Sequence, residues 1–164
     1  MARCLIIGCG CRGAALAAEL QARGHAVRAS SRDPDRVAEL RRLGVDAVLG
    51  DPDRVATLAR AFEHVTVAVI LLGSATGSPQ QLAALHSTRL DMLLSKLLDS
   101  TVRGVVYEAG GRAGEEVLAA GAARVRAFCE DSRVPYALLG APGDGHPAWV
   151  AATADAVEGV LAPR

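Results

Sequence analysis

Three times within its first sixty or so residues the chain runs through a short apolar segment, a glycine or proline turn and a helix-forming stretch. This alternation constrains the fold more than any other feature. Arg3 to Ile7 reads as a strand, Gly8-Cys9-Gly10-Cys11-Arg12-Gly13 as a turn, and Ala14 to Arg23 as a helix stopped at Gly24. In the second unit His25 to Ser30 is the strand and Asp33-Pro34 the helix cap and first turn, with Val37, Leu40 and Leu43 on one face. In the third, Val45 to Leu49 is the strand, and Asp51-Pro52 starts a helix whose apolar stripe is Val55, Leu58, Ala59 and Phe62.

The second half keeps the rhythm. Val65 to Leu72 is a continuous apolar run, as a parallel strand buried on both faces requires, and it ends in Gly73-Ser74-Ala75-Thr76-Gly77. A Leu-rich helix is expected from Gln80 to Asp99, then a strand from Val102 to Tyr107 and a helix from Glu115 to Glu130. Tyr136 to Leu139 reads as the sixth strand and Thr153 to Leu161 as the closing helix. Strands alternating with helices imply a doubly wound parallel sheet of about six strands, in three α/β/α layers. The expectation is one Rossmann domain over residues 1–164, without a separate substrate domain.

Composition narrows the partners. Eighteen basic residues balance eighteen acidic ones, so no overall charge draws the chain to nucleic acid or an anionic membrane. No stretch approaches the ~18 to 20 apolar residues of a membrane span, and no signal-type segment follows Met1, so a cytoplasmic protein is expected. Cys4, Cys9, Cys11 and Cys129 form no paired C-x-x-C framework, as expected of reduced thiols. Lys96 is the only lysine, which removes most lysine-based catalysis.

Gly8, Gly10 and Gly13 fit G-x-G-x-x-G at the first strand-to-helix junction, the context in which that pattern binds a dinucleotide. The first glycine makes the tight turn, the second lets backbone approach the pyrophosphate, and the third lets helix pack on strand. N–H groups at the helix start, around Cys11 and Arg12, face the anion. The dinucleotide type is read at the end of the second strand, where an acid grips the ribose of NAD and an Arg receives the 2′-phosphate of NADP. Here Ser30-Ser31-Arg32-Asp33 offers hydroxyls and a guanidinium, which favours NADP(H) over NAD(H), with Ser31 and Arg32 at the phosphate and Arg12 able to close on it. Asp33 could instead be the NAD acid, but reads better as the cap before Pro34. Asp51 is expected at the adenine pocket, with a capping role compatible. Gly73 and Ser74 should lie along the cofactor at the carboxyl edge of the sheet, where Glu108 and the Pro142 to His146 segment also end.

At these residues the chain resembles the atypical short-chain dehydrogenase/reductase group, in particular its NmrA-like and flavin-reductase-like NAD(P)H-binding members. The likeness is carried by Ile6 to Gly13, Gly24 to Arg28 with Arg32-Asp33-Pro34, Leu43-Gly44-Val45 with Gly50-Asp51, and the run from Val65 to Gly73. It implies a Rossmann fold, usually NADP(H), and Arg32 as the 2′-phosphate residue. The Tyr-x-x-x-Lys pair of typical members is absent, because Gly111 and Gly140 stand four residues after Tyr107 and Tyr136. Only Ala141 to Val150 separates the last strand from the last helix, where relatives insert a substrate lobe.

Hydride transfer to a small diffusible acceptor of flavin or quinone type needs little from the protein beyond proximity, since the cofactor carries the chemistry. His146 is the best remaining general-acid candidate, the alternative being a loop histidine that is merely solvated, and Ser74 and Glu108 are weaker candidates. Cys9 and Cys11 read better as loop fillers than as a redox pair. No metal-binding spacing is present. The sequence thus points to an NADP(H)-binding Rossmann protein that could serve as a reductase of such an acceptor, the alternative being a catalytically inactive NAD(P)H sensor or partner-binding regulatory module. Leu90, Leu93, Leu94 and Leu97 should pack on the sheet, and so Leu-rich a helix offers surface for a homodimer.

Overall fold

The computed structural model describes residues 1–140 and 144–163, and shows one six-stranded sheet in which every pairing is parallel. The strands are β1 (Arg3–Ile7), β2 (Ala26–Ser31), β3 (Asp46–Leu49), β4 (Val67–Ile70), β5 (Gly104–Glu108) and β6 (Tyr136–Leu139). The helices are α1 (Cys11–Ala22), α2 (Pro34–Arg42), α3 (Pro79–Leu85), α4 (Thr88–Leu98), α5 (Glu115–Ser132) and α6 (Pro147–Leu161). Spatial order β3-β2-β1-β4-β5-β6 is the doubly wound Rossmann order, which reverses direction between β1 and β4.

The period of two along each strand builds the layers. Cys4 and Ile6 of β1, with Val67 and Val69 of β4, point into a core shared with Leu16 and Leu20 of α1 and Val157 of α6. Leu5 and Ile7, with Ala68 and Ile70, point the other way against α4 and α5. Leu90, Leu93, Leu94 and Leu97 are buried there as expected, while Met92 and Leu98 of the same helix are exposed. Among the described residues no helix is long and apolar enough to cross a membrane.

Two expected helices differ. The third connection is a 3-10 helix over Val55–Phe62, and it buries Val55, Leu58, Ala61 and Phe62 while Ala59 is exposed. At three residues per turn the stripe falls at i, i+3, i+6, so Ala61 takes the place assigned to Ala59. Thr57 holds the tighter start, its hydroxyl donating to the Arg54 carbonyl at 2.7 Å and accepting from the Asp51 N–H at 2.8 Å.

The single helix expected from Gln80 to Asp99 is broken into α3 and α4 at His86-Ser87. The chain turns inward there to bury His86, whose Nε2 donates to the Leu72 carbonyl at 3.0 Å and whose Nδ1 accepts from the Tyr107 hydroxyl at 2.7 Å. A carbonyl can only accept, which sets this tautomer. The arrangement needs a glycine opposite, because a Cβ on Gly121 of α5 would lie 2.0 Å from the Tyr107 hydroxyl.

Candidate functional site

The loops that leave the carboxyl ends of the strands surround a cleft of about 1260 Å³. Its centre lies over the β1/β4 reversal, where doubly wound sheets bind ligands. Gly8 has φ +85°, and a Cβ there would meet the Leu71 carbonyl at 2.6 Å, so the first loop requires glycine. Gly10 lines the cleft with nothing within 4 Å of its Cβ position, leaving open backbone. Gly13 lies beneath, its Cβ position 2.8 Å from the Cys9 sulfur, as close packing of α1 on the loop demands. The first helical bond runs from Ala14 N–H to the Gly10 carbonyl, so the N–H groups of Cys11, Arg12 and Gly13 precede it and form an anion-receiving helix start.

The cysteines of this loop divide. Cys11 is exposed in the cleft, while Cys9 is buried, and burial pushes its thiol up to about 11. Cys9 is therefore an uncharged filler under Gly13 at neutral pH.

Past β2, Ser31, Arg32 and Asp33 all line the cleft. The Asp33 carboxylate caps α2, accepting from the Asp35 N–H at 3.0 Å. Arg32 is exposed and has no side-chain partner among the described residues. Sequence reasoning missed Arg36, which lines the same end; its Nη1 pairs with Glu39 at 2.6 Å, its guanidinium lies against the Cys11 side chain, and its buried Nη2 makes no hydrogen bond among the described residues. The signal was its place in the first turn of α2, directly after the Ser31-Arg32-Asp33 segment. Asp51 also lines the cleft, with its carboxylate accepting the Asp53 N–H at 2.9 Å.

Arg12 does not close toward Arg32. Its Nη2 reaches across the reversal to the wholly buried Glu108 at 2.7 Å and to the Leu71 carbonyl at 3.3 Å. The same Glu108 oxygen accepts the Gly73 N–H at 2.8 Å, so one carboxylate ties the β1, β4 and β5 loops together. Burial rather than turn position decides this, because a buried carboxylate must be paired. Gly73 is consequently buried under the crossing loops and does not line the cleft, whereas Ser74 does.

His146 is also placed differently from the expectation. It is the exposed residue preceding α6, its N–H donates to Asp144 at 2.9 Å, and it is absent from the cleft lining, which Asp144 and Gly145 reach instead. Pro142 lies outside the described residues. Neither tyrosine lines the cleft: Tyr107 is sealed against His86, and Tyr136 donates to Glu130 at 2.8 Å.

A TrkA-N domain family model matches residues 4–96, more than half of the chain. The chain belongs to the TrkA-N domain family. The TrkA-N match runs from β1 into α4 and so contains the glycine loop, Arg32, Arg36 and Asp51. No curated protein sequence matches. Among solved structures, the Thermotoga maritima UDP-glucose 4-epimerase with UDP-glucose has TM-score 0.70 at 13% identity, covering 83% of this chain and 54% of that one. An Agrobacterium tumefaciens short-chain dehydrogenase/reductase superfamily protein with bound NAD has TM-score 0.68 at 17% identity, covering 83% and 48%. The Citrobacter sp. triphenylmethane reductase complexed with NADP(H) has TM-score 0.64 at 19% identity, covering 83% and 48%. This TrkA-N chain thus shares their fold and spans about half the length of each.

Burial holds His86 below its ordinary pKa of 6.5. The unfolded chain takes up a proton at His86 near 6.5 and the folded chain only at lower pH, so the folded state loses stability as the pH falls below about 6.5. The thermal midpoint should therefore drop between pH 6.5 and 5, and His86→Gln should flatten that slope. An unchanged slope in the variant would assign the pH dependence elsewhere.

Proposed function

We propose that this chain binds NADP(H) in the cleft and passes hydride to a small diffusible acceptor of flavin or quinone type. One observation carries the cofactor choice. At the end of β2 the carboxylate that follows the strand, Asp33, is engaged as a helix cap, while Arg32, which has no side-chain partner among the described residues, lines the cleft with Ser31 and Arg36 on the same wall. That is a donor-rich wall for a dianionic 2′-phosphate, with the acid nearest the strand end drawn onto its own helix. The open backbone at Gly10 and the start of α1 suit the pyrophosphate. The resemblance to NmrA-like and flavin-reductase-like proteins, and the bound NADP(H) of the triphenylmethane reductase, support the same reading. The nicotinamide supplies the hydride when bound; the chain's part is to bind, orient and exclude water.

No tyrosine, and not His146, lines the cleft, which supports an acceptor that takes its proton from solvent. The same observation favours a second reading, a nucleotide-binding sensor without turnover. NADPH oxidation against a flavin and quinone panel separates the two.

Gly10→Val gives the direct test of the site. Open space around Gly10 lets the side chain enter the cleft without touching the fold, so NADPH affinity by calorimetry should fall about tenfold or more while the thermal midpoint holds. Undiminished affinity would remove the glycine loop from the site.

A further inference from the structure

The cleft is larger than the ~300 to 1000 Å³ usual for one small ligand, and its two ends differ in chemistry. The end over β2 and β3 is rich in guanidinium and hydroxyl groups. The other end lies over α3, a short helix with none of its residues buried. Leu82 and Leu85 of α3 are half-buried and line the cleft together with Leu72. A capping box holds α3 at its start, where the Ser78 hydroxyl accepts the Gln81 N–H at 3.2 Å and the Gln81 side chain accepts the Ser78 N–H at 2.8 Å. The capping box thus fixes the helix that carries this apolar wall.

A cation completes this end. Arg112 follows the crossing of the β4 and β5 loops, which is so close that a Cβ on Gly111, at φ +146°, would lie 2.2 Å from the Gly73 carbonyl. That crossing puts Arg112 on the cleft rim beside Ser74, exposed and without an ion pair among the described residues. Of the other charged groups nearby, Arg12 and Glu108 are paired with each other beneath the crossing, and Asp144 accepts the His146 N–H on the α6 side.

We propose that the α3 end is a second subsite for a flat, largely apolar molecule carrying an anionic group, with Leu72, Leu82 and Leu85 against its ring and Arg112 on its charge. The inference rests on the NADP(H) reading, for which this subsite supplies the class of acceptor. Arg112 discriminates by charge, since an exposed guanidinium favours a phosphate or carboxylate over a neutral analogue of the same shape.

Flavin mononucleotide and riboflavin share one ring and differ by a phosphate. Each is titrated by calorimetry into the full chain, with and without saturating NADP⁺, and NADP⁺ is titrated alone. Flavin mononucleotide should bind about tenfold more tightly than riboflavin with NADP⁺ present. Arg112→Ala should abolish that difference and leave NADP⁺ affinity unchanged, and Leu85→Gln should weaken both flavins. Equal or undetectable binding of the two flavins, or a preference that survives Arg112→Ala, overturns the subsite, while NADP⁺ binding upholds the cofactor reading independently. Failure of NADP⁺ alone overturns the cofactor reading, and the flavin titrations without NADP⁺ still read the Arg112 preference.

Discussion

Arg32→Ala should weaken NADPH binding ten- to hundredfold, on the order expected for losing one or two charge-assisted hydrogen bonds, and change NADH binding far less. Arg32 is exposed and has no side-chain partner among the described residues, so its removal disturbs none of their contacts. Arg36, held at its Nη1 by Glu39, leaves Nη2 for the same phosphate, and the residual preference for NADPH in Arg32→Ala should vanish in Arg32→Ala/Arg36→Ala. Calorimetric titration of both nucleotides into wild type and variants checks this. Equal losses for NADPH and NADH would mean that Arg32 does not read the 2′-phosphate.

Glu108→Ala should destabilise the fold by about 3 to 5 kcal/mol, the usual result of removing one member of a buried ion pair. For a chain of this size that lowers the thermal midpoint by on the order of 10 °C. The loss has two parts: Arg12 keeps its charge with only the Leu71 carbonyl to hold it, and the Gly73 N–H loses its acceptor. Glu108→Gln, which keeps an acceptor for Gly73, should cost less. In a double-mutant cycle with Arg12→Met, the double variant should be less destabilised than the two single losses added together. Additive losses would show that the two residues act separately and that no latch spans the reversal point.

The legible parts of the site were those set by neighbours in sequence. The glycine loop, the cap at Asp33 and the exposed Arg32 all follow from residues within one turn or junction, where local backbone geometry decides the outcome. Arg12 was misplaced because its partner Glu108 lies 96 residues away, and no spacing rule connects the first turn of one helix to the end of a distant strand. The break between α3 and α4 was hidden for the same reason. Leu-rich periodicity favours a continuous helix, and the pairing of His86 with Leu72 and Tyr107, 14 and 21 residues away, makes an inward turn preferable. Ala59 was misassigned because the same i, i+3 spacing serves two helix types, and packing against the sheet selects the tighter one.

By itself, then, the sequence determined the doubly wound sheet, its two-faced core and the backbone cradle at Gly8, Gly10 and Gly13, because period-two strands and glycine turns act over a few residues. Tertiary structure alone decided where Arg12, Glu108 and Arg112 stand. Burial forces Glu108 to take Arg12 and Gly73, and close loop crossing brings Arg112 to the rim beside Ser74. Side-chain charge is assigned by what a fold leaves unpaired, and pairing across a sheet exists only once the sheet has formed.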